Sequence, residues 1–247
     1  MFRNAQCPEK ILHYKAYVMT PVYLYVLIAS ISVPLAFNVF HLDVIKRWKD
    51  FLISTSTVAF VFLIWDALFT RAGVWGFNEA YCLGLNILMM PIEEWLFFFV
   101  IPFVSLFTHF AVKHLAPKFF LNETLTRKIA LVLIAVTFVL LCTHFSKAYT
   151  AVDAVFLIVT LALGVVFYLK LLQRFFLSFL FILIPFFIVN GILTGSMIDA
   201  PIVWYNDGEN LGVRLATIPI EDIGYAFSML FCNLMIFEFL KPKQDVR

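Results

Sequence analysis

The sequence predicts an all-α integral membrane protein with about seven transmembrane helices, built from two parallel three-helix repeats and a connecting helix. Of its 247 residues, 63% are hydrophobic and 14% charged, and the mean hydropathy is +0.95. A soluble domain carries about 25% charged residues. Several apolar runs approach the roughly 20 residues that a helix needs to cross a bilayer. An internal duplication is the third observation, and it indicates which helices of the two halves correspond.

The apolar runs define the elements in chain order. The first run is too long for the core of a cleavable signal and lacks a small-residue cleavage site, so we interpret it as a span. The predicted spans lie near residues 17–40, 51–69, 91–112, 129–146, 150–169, 175–194 and 219–240. We accordingly divide the chain into a first repeat (1–128), a connecting span (129–149) and a second repeat (150–247).

The distribution of basic residues predicts the orientation. Twelve of the 18 Lys and Arg residues fall in the connections on one side: Lys46, Arg47, Lys49, Lys113, Lys118, Arg127, Lys128, Lys170, Arg174, Lys241, Lys243 and Arg247. The positive-inside rule then places the N-terminus outside and the C-terminus in the cytoplasm, in a prokaryotic cell membrane. The net charge of +2 gives no reason to expect a nucleic-acid partner.

The cysteines predict neither a metal site nor a disulfide framework. The four cysteines stand apart, without a CxxC pair and without a histidine at the spacing of a metal ligand. We expect free thiols and keep a bond between Cys7 and Cys82 as the alternative.

The duplication is visible when two loop–helix segments are superimposed. LGLNILMMPIEE (83–94) aligns without a gap to LGVRLATIPIED (211–222), an offset of 128 residues. Upstream, WGFN ending at Asn78 aligns with WYN ending at Asn206. Still earlier, WDALFT (65–70) resembles VNGILT (189–194), so that Asn190 aligns with Asp66. Spans one to three therefore correspond to spans five to seven, and the fourth span keeps both halves in the same orientation.

Acidic residues within the spans are the candidate catalytic groups, because charge is costly inside a bilayer. These are Asp66 near the end of the second span, Glu93 and Glu94 after Pro91, and the repeated pair Glu221 and Asp222. Proline followed by acids is also an ordinary helix start, and Arg71 would be the partner of a purely structural Asp66. Recurrence of the acid pair in both halves favours proton chemistry, for which closely spaced carboxyl groups in apolar surroundings are well suited.

Aromatic residues are dense around these acids, and ring faces can stabilise a carbocation without attacking it. Many of them would serve equally well as an interfacial belt. We interpret His109 and His144 as polar residues whose hydrogen bonds are satisfied. Asp153 and Glu238 lie near span ends, and we do not include them in the site. We expect substrate contacts from Trp65, Trp75, Phe77, Asn78, Trp95, Phe97, Asn190, Trp204, Tyr205, Asn206 and Tyr225.

Taken together, the motifs resemble one family. WDALFTRAGVWGFN (65–78) with PIEEWLFFFVIPF (91–103), and VNGILTG (189–195) with IVWYN (202–206) and LGVRLATIPIEDIGYAF (211–227), resemble the membrane-embedded lycopene cyclases. These are the heterodimeric bacterial type, here in one chain as in archaeal and fungal forms. The resemblance covers about residues 17–240.

The resemblance implies closure of the ψ ends of lycopene into β-ionone rings, giving β-carotene by way of γ-carotene. Protonation of the terminal double bond, ring closure and proton loss exchange no electrons, so we expect no cofactor and no metal. The sequence indeed contains no GxG, hence no Rossmann flavin motif. Our hypothesis makes Glu93 and Glu221 acid and base, with Glu94 and Asp222 tuning them and Asp66 in support.

The expected partners are lycopene arriving from the bilayer and membrane lipid, and association with other carotenoid enzymes stays open. The sequence also leaves open the ring type, the number of ends cyclised, and whether the two halves form one site or two. A proton-coupled transporter is the alternative function, since it too would use intramembrane carboxylates and a duplication. It should break matching helices with Gly or Pro, yet Pro102 aligns with Leu230.

Overall fold

Long apolar helices dominate the computed structural model, which describes residues 20–36 and 46–241. Within these residues the α-helices are α1 (Val22–Ala36), α2 (Trp48–Ala72), α3 (Ile92–Leu115), α4 (Glu123–Thr143), α5 (Ala148–Phe167), α6 (Leu169–Leu193) and α7 (Glu221–Phe239). In the described part, α2 to α7 are each long and apolar enough to cross a membrane, and α1 is a shorter apolar helix. The predicted all-α, multi-pass architecture is confirmed.

The predicted spans differ from the helices mainly where polar residues begin a helix. Helix α4 begins at Glu123 rather than 129, because the Asn122 side chain caps it by accepting a hydrogen bond from the Leu125 N–H at 2.8 Å. Helix α6 begins at Leu169 rather than 175, immediately after the corner at Tyr168. Hydropathy alone does not detect such first turns, since they lie at the polar ends of the helices.

Short strands cap the end of the bundle where α3 and α7 begin. Two matching hairpins precede these helices, with Asn86 facing Pro91 in the first and Arg214 facing Pro219 in the second. The strands are β1 (Trp75–Phe77), β2 (Asn86–Ile87), β3 (Met90–Pro91), β4 (Val203–Tyr205), β5 (Arg214–Leu215) and β6 (Ile218–Pro219). The hairpin registers reproduce the 128-residue offset found in the sequence.

The two halves are interlocked. Strand β1 of the first half pairs antiparallel with β4 of the second, so that Trp75 faces Tyr205. Helix α2 packs on α7, and α6 packs on α3, which is the equivalent contact in the other direction. One core cluster combines residues of both halves, among them Phe62, Phe98 and Phe231. A site at this junction can therefore draw on both repeats.

Candidate functional site

A largely apolar cavity of about 540 Å³ lies below the β1–β4 ladder. Its walls come from α1, α3, α6 and α7, and three acids line it: Asp66, Glu94 and Asp222. None of its lining residues is Lys, Arg or His. The cavity thus combines carboxyl groups with hydrocarbon surroundings, and no basic side chain from residues 20–36 and 46–241 lines it to neutralise them.

Each half anchors one of these acids with a tyrosine from its first helix. The Tyr23 hydroxyl in α1 donates to Glu94 Oε2 at 2.6 Å, and the Tyr149 hydroxyl in α5 donates to Asp222 Oδ1 at 2.5 Å. Glu94 and Asp222 occupy equivalent repeat positions, so the two pairs are counterparts. Neither tyrosine was predicted from the sequence, although they occupy equivalent positions when the repeat alignment is extended upstream.

Asp222 has a second phenol donor. Tyr205 in β4 donates to Asp222 Oδ2 at 3.1 Å, and its ring stacks against Tyr149 with centroids 5.8 Å apart. Burial, reinforced by the neighbouring Asp222 carboxylate, raises the pKa of the Tyr205 phenol well above its ordinary value. Tyr205 therefore keeps its proton and remains a hydrogen-bond donor.

Asp66 is held by the first repeat alone. Its Oδ1 accepts hydrogen bonds from Trp75 Nε1 at 2.5 Å and from the Thr70 hydroxyl at 3.4 Å, whereas its buried Oδ2 has no hydrogen-bond partner in the part of the chain that the structure describes. Arg71, the partner considered for a structural Asp66, is exposed and forms no ion pair with it. Asp66 thus presents one unpartnered oxygen in the wall of the cavity.

Glu93 and Glu221 take a different place from the one expected. Glu93 Oε1 accepts the Leu83 N–H, and Glu221 Oε1 accepts the Leu211 N–H, each at 2.7 Å. Both glutamates are buried and neither lines the cavity. Successive residues of a helix point about 100° apart, so when Glu94 and Asp222 face the cavity, their neighbours face the loops. Glu93 and Glu221 therefore fix the loop backbone through these hydrogen bonds.

Six of the expected substrate contacts line the cavity and five do not. Those that line it are Trp75, Phe77, Phe97, Asn190, Tyr205 and Tyr225. Those that lie outside it are Trp65, Asn78, Trp95, Trp204 and Asn206. That this second set touches substrate stays a prediction, and each of its members makes a local structural contact.

Two of the residues outside the cavity cap turns, and two pack in the outer strands and hairpins. The Asn78 side chain accepts the Ala80 N–H, and the Asn206 side chain accepts the Gly208 N–H. Trp95 donates from Nε1 to the Ile87 carbonyl at 3.3 Å. The Trp204 indole covers Gly76, where any side chain would collide with the ring. These contacts stabilise the cap above the cavity.

Trp65 packs against α5 at a position whose counterpart in the other half lines the open cavity. Its indole stacks on Phe156 of α5, with centroids 4.8 Å apart and planes inclined by 15°. The repeat alignments place Val189 and Ser30 at the corresponding positions of the open cavity, which both line. Two large rings thus replace two smaller side chains, and the duplicated halves differ at this point.

The open cavity reaches the outer surface between α1 and α6. Its lining includes Tyr25 and Val33 of α1 and Ile188 of α6, whose exposed fractions are 57%, 54% and 53%. These side chains face the surface that a membrane-spanning bundle presents to lipid. A hydrocarbon can therefore enter sideways from the bilayer.

Two further acids lie near the ends of helices, as expected. Asp153, in the second turn of α5, is buried with its carboxylate packed against Gly224, and its Oδ1 has no hydrogen-bond partner among the described residues. It does not line the cavity. Glu238 pairs with Arg47 at 3.6 Å, as anticipated for a residue near a span end. Cys82 is a free thiol, while Cys7, its considered partner, lies outside the described residues.

Over residues 20–36 and 46–241, no group of three His, Cys, Asp or Glu side chains is placed to hold a metal ion. Comparison with known proteins adds one finding. The family model described as lycopene cyclase matches residues 20–112 and 146–240, which are the two repeats. Neither the curated proteins nor the solved structures contain a match.

Proposed function

Since this chain belongs to the lycopene cyclase family, we propose that its cavity binds one ψ end of lycopene and closes it to a β-ionone ring. The family establishes a multi-pass membrane enzyme that cyclises a carotenoid; the β ring and the mechanism are our proposal. The observation that carries it is the convergence of Asp66, Glu94 and Asp222 on one apolar cavity that is open to lipid.

The reaction is a proton-balanced isomerisation. A carboxyl group gives a proton to the terminal double bond, which leaves a tertiary cation. The C5–C6 double bond attacks this cation and closes the six-membered ring, and a carboxylate then removes a ring proton to leave the β double bond. One proton enters and one leaves, so the product is an isomer of the substrate and no electrons are exchanged.

The geometry changes the roles that we first assigned to the acids. Asp222 accepts two phenol hydrogen bonds, which favour the ionised form of a carboxyl group, so we assign it as the base. Asp66 and Glu94 line the same apolar cavity, where two ionised carboxyl groups would repel each other, and Asp66 Oδ2 accepts no hydrogen bond from any described residue. We therefore assign the Asp66–Glu94 pair as the proton source. Glu93 and Glu221 become positioning residues.

Aromatic rings supply the electrostatic environment for the cation. Trp75, Phe97 and Tyr225 line the cavity with the three acids. Ring faces attract a cation without forming a bond to it, and the attraction increases when water is excluded. The cavity thereby favours ring closure over capture of the cation by water.

Carboxamide substitution in a lycopene-producing host tests the proposal. Glu94→Gln and Asp222→Asn should each lower the rate of ring formation about 10²- to 10⁴-fold, the usual contribution of general acid–base catalysis. Glu93→Gln keeps an oxygen that can accept the Leu83 N–H and should retain most activity. Asp199→Asn, an exposed acid of the outer loop, is the matched control.

Pigment extraction with membrane quantification gives the readout. If correctly inserted Glu94→Gln and Asp222→Asn proteins cyclise lycopene at the wild-type rate, the role of these acids is refuted. Ring type follows from the chromatographic identity of the product. The proton-coupled transporter has no structural observation in its favour, because the acids meet at a cavity that opens towards lipid.

We also propose that the acids lie near the outer leaflet and that the basic connections face the cytoplasm, as the positive-inside rule requires. A reporter enzyme fused after α7 should then be active only in its cytoplasmic form. An active periplasmic reporter at that site would reverse the orientation.

A further inference from the structure

A second cavity, of about 560 Å³, lies at the opposite end of the bundle from the acids. It is bordered by the end of α3, the start of α4, the corner between α5 and α6, and the end of α7. Its lining residues in α3, His109 and Lys113, lie 15 and 19 residues after Glu94, which is about 22 to 29 Å along the helix. Its contents cannot take part in the proton chemistry.

The lining of this basic cavity carries uncompensated positive charge. Four cations border it: Lys113, Arg127, Lys170 and Arg174. Among these, Arg127 is neutralised by Glu123, to which it donates at 3.0 Å. The other acid that lines the cavity among the described residues, Glu238, is paired with Arg47, which is not a lining residue.

Three cations, Lys113, Lys170 and Arg174, are therefore left without an ion-pair partner within the described parts of the chain. They converge from α3 and α6 on the same space. Like charges so arranged destabilise the fold unless a counter-charge joins them. The cavity is electrostatically suited to an anion.

Two buried nitrogen atoms in the same lining have no hydrogen-bond partner among the described residues. Arg174 donates from Nη2 to the Pro117 carbonyl at 2.8 Å, but its buried Nη1 is one of the two. The other is Nδ1 of His109, a side chain that is 1% exposed. A buried polar group left unsatisfied costs about 1–3 kcal/mol, so such groups normally have a partner. An anion with several oxygens would supply an acceptor to Arg174, and also to His109 in the tautomer that carries the proton on Nδ1.

The chemistry around the cavity indicates an amphipathic anion. Val166 and Phe167, at the corner between α5 and α6, line it and are 67% and 71% exposed. Their apolar surface adjoins the cations and faces the surroundings of the bundle. A phosphate group would meet Arg174 in the fork geometry that guanidinium favours, while acyl chains would cover the exposed apolar corner.

We propose that this basic cavity binds the phosphate headgroup of an anionic phospholipid. The ligand neutralises Lys113, Lys170 and Arg174 and satisfies the buried Arg174 donor. The ligand connects α3 to the corner between α5 and α6, and thus connects the two repeats. This contact lies at the end of the bundle opposite the strands. This assignment is independent of the cyclisation mechanism.

Native mass spectrometry of the full-length protein, extracted from nanodiscs, tests the proposal. The probes are phosphatidylglycerol and, as a zwitterionic comparison, phosphatidylcholine. The wild-type protein should retain phosphatidylglycerol selectively, and Arg174→Gln and Lys170→Gln should each weaken that retention about fivefold, the contribution of one basic residue near an anionic lipid. Cyclase activity in the host verifies that each variant is folded.

Lys118→Gln is the matched control, since Lys118 is an exposed cation between α3 and α4 that does not line the cavity. Retention of phosphatidylglycerol should be unchanged in this variant. Equal loss in Lys118→Gln would show general surface attraction and overturn the site, as would equal retention of phosphatidylcholine. Displacement of the lipid by inorganic phosphate alone, with the same dependence on Arg174, would assign the cavity to free phosphate instead.

Discussion

At the residue scale, the two acids that occupy equivalent positions differ in their phenol donors. Tyr149 and Tyr205 both donate to Asp222, whereas Glu94 receives one phenol hydrogen bond from Tyr23. Hydrogen bonds to charged groups contribute more than neutral ones, about 1.5–3 kcal/mol each. The number of donors therefore distinguishes two acids that occupy equivalent positions in the repeat.

Removing one donor from the base should slow the chemical step. We expect Tyr149→Phe to lower kcat about 10- to 100-fold, the kinetic equivalent of one charge-assisted hydrogen bond. KM should change little, because the phenylalanine ring preserves the shape of the wall. Tyr168→Phe, at the far end of α5, is the control. A rise in KM at unchanged kcat would mean that Tyr149 contributes only to substrate binding.

The sequence predicts which helix turns carry the acids but not which acid of each pair reaches the cavity. Glu93 and Glu94 are chemically alike, and their separation into a loop anchor and a cavity acid depends on how α3 is rotated against α1. That rotation is set by packing between distant segments. The contact of Tyr23 was not predicted for the same reason, because Tyr23 lies 71 residues before Glu94 in the sequence.

Cys82 gives a residue-scale test that depends on pH. Burial, with added repulsion from Glu93 and Glu94, raises the pKa of its thiol to about 12. A raised thiol pKa means less thiolate, so at pH 8 maleimide should modify Cys82 about 10³-fold more slowly than an ordinary thiol. The rate should then increase about tenfold per pH unit.

Exposed Cys142 is the internal comparison, in a Cys7→Ser background read by peptide mass spectrometry. Labelling of Cys82 as fast as that of Cys142 would mean that the loop before α3 opens readily. Unfolded protein should label at both positions, which verifies that the reagent can reach each sequence.

At the element scale, the paired hairpins impose a strained backbone. Leu88, Met89 and Ala216 adopt positive φ values of 53°, 64° and 56° at the hairpin turns, a region that disfavours residues with a Cβ. The strain occurs at equivalent places, since Leu88 and Ala216 are one repeat apart. Both hairpins precede the acids directly, so they fix where α3 and α7 begin.

Relieving this strain should stabilise the protein. We expect Ala216→Gly to add about 1 kcal/mol and to raise the thermal unfolding midpoint by about 2–4 °C in detergent. Ala72→Gly, in the last helical turn of α2, should lower the midpoint instead, because glycine is a poor helix residue. A decrease in both variants would contradict the claim that the hairpin stores strain.

At the element scale, the two halves also differ in the side chains between their helices. Ser30 of α1 lines the open cavity, while its counterpart Phe156 stacks on Trp65. Ser30→Phe should therefore reduce cyclisation strongly, by obstructing entry between α1 and α6, without loss of protein from the membrane. Ser32→Phe, exposed on the same helix, should leave pigment formation unchanged. Equal activity of the two variants would refute lateral entry at this position.

At the scale of the whole molecule, the two halves of the duplication are joined, since β1 pairs with β4 and α2 packs on α7. The sequence established the repeat and the seven-helix order, and the structure agrees, because both follow from hydropathy and local motifs. It left the number of sites open, since that depends on packing between α2 and α5, where Trp65 meets Phe156. Acids of both repeats, Glu94 and Asp222, instead face one cavity.

A single cavity predicts how the two ends of lycopene are treated. One end occupies the cavity at a time, so a product with one ring must leave and turn before its second end can react. With lycopene in excess, the monocyclic product should accumulate well above the enzyme concentration before the bicyclic product appears, and added labelled monocyclic carotenoid should mix with that pool. A time course by chromatography measures both. Bicyclic product formed without a lag, with labelled intermediate excluded, would require a second working site and contradict catalysis in one cavity.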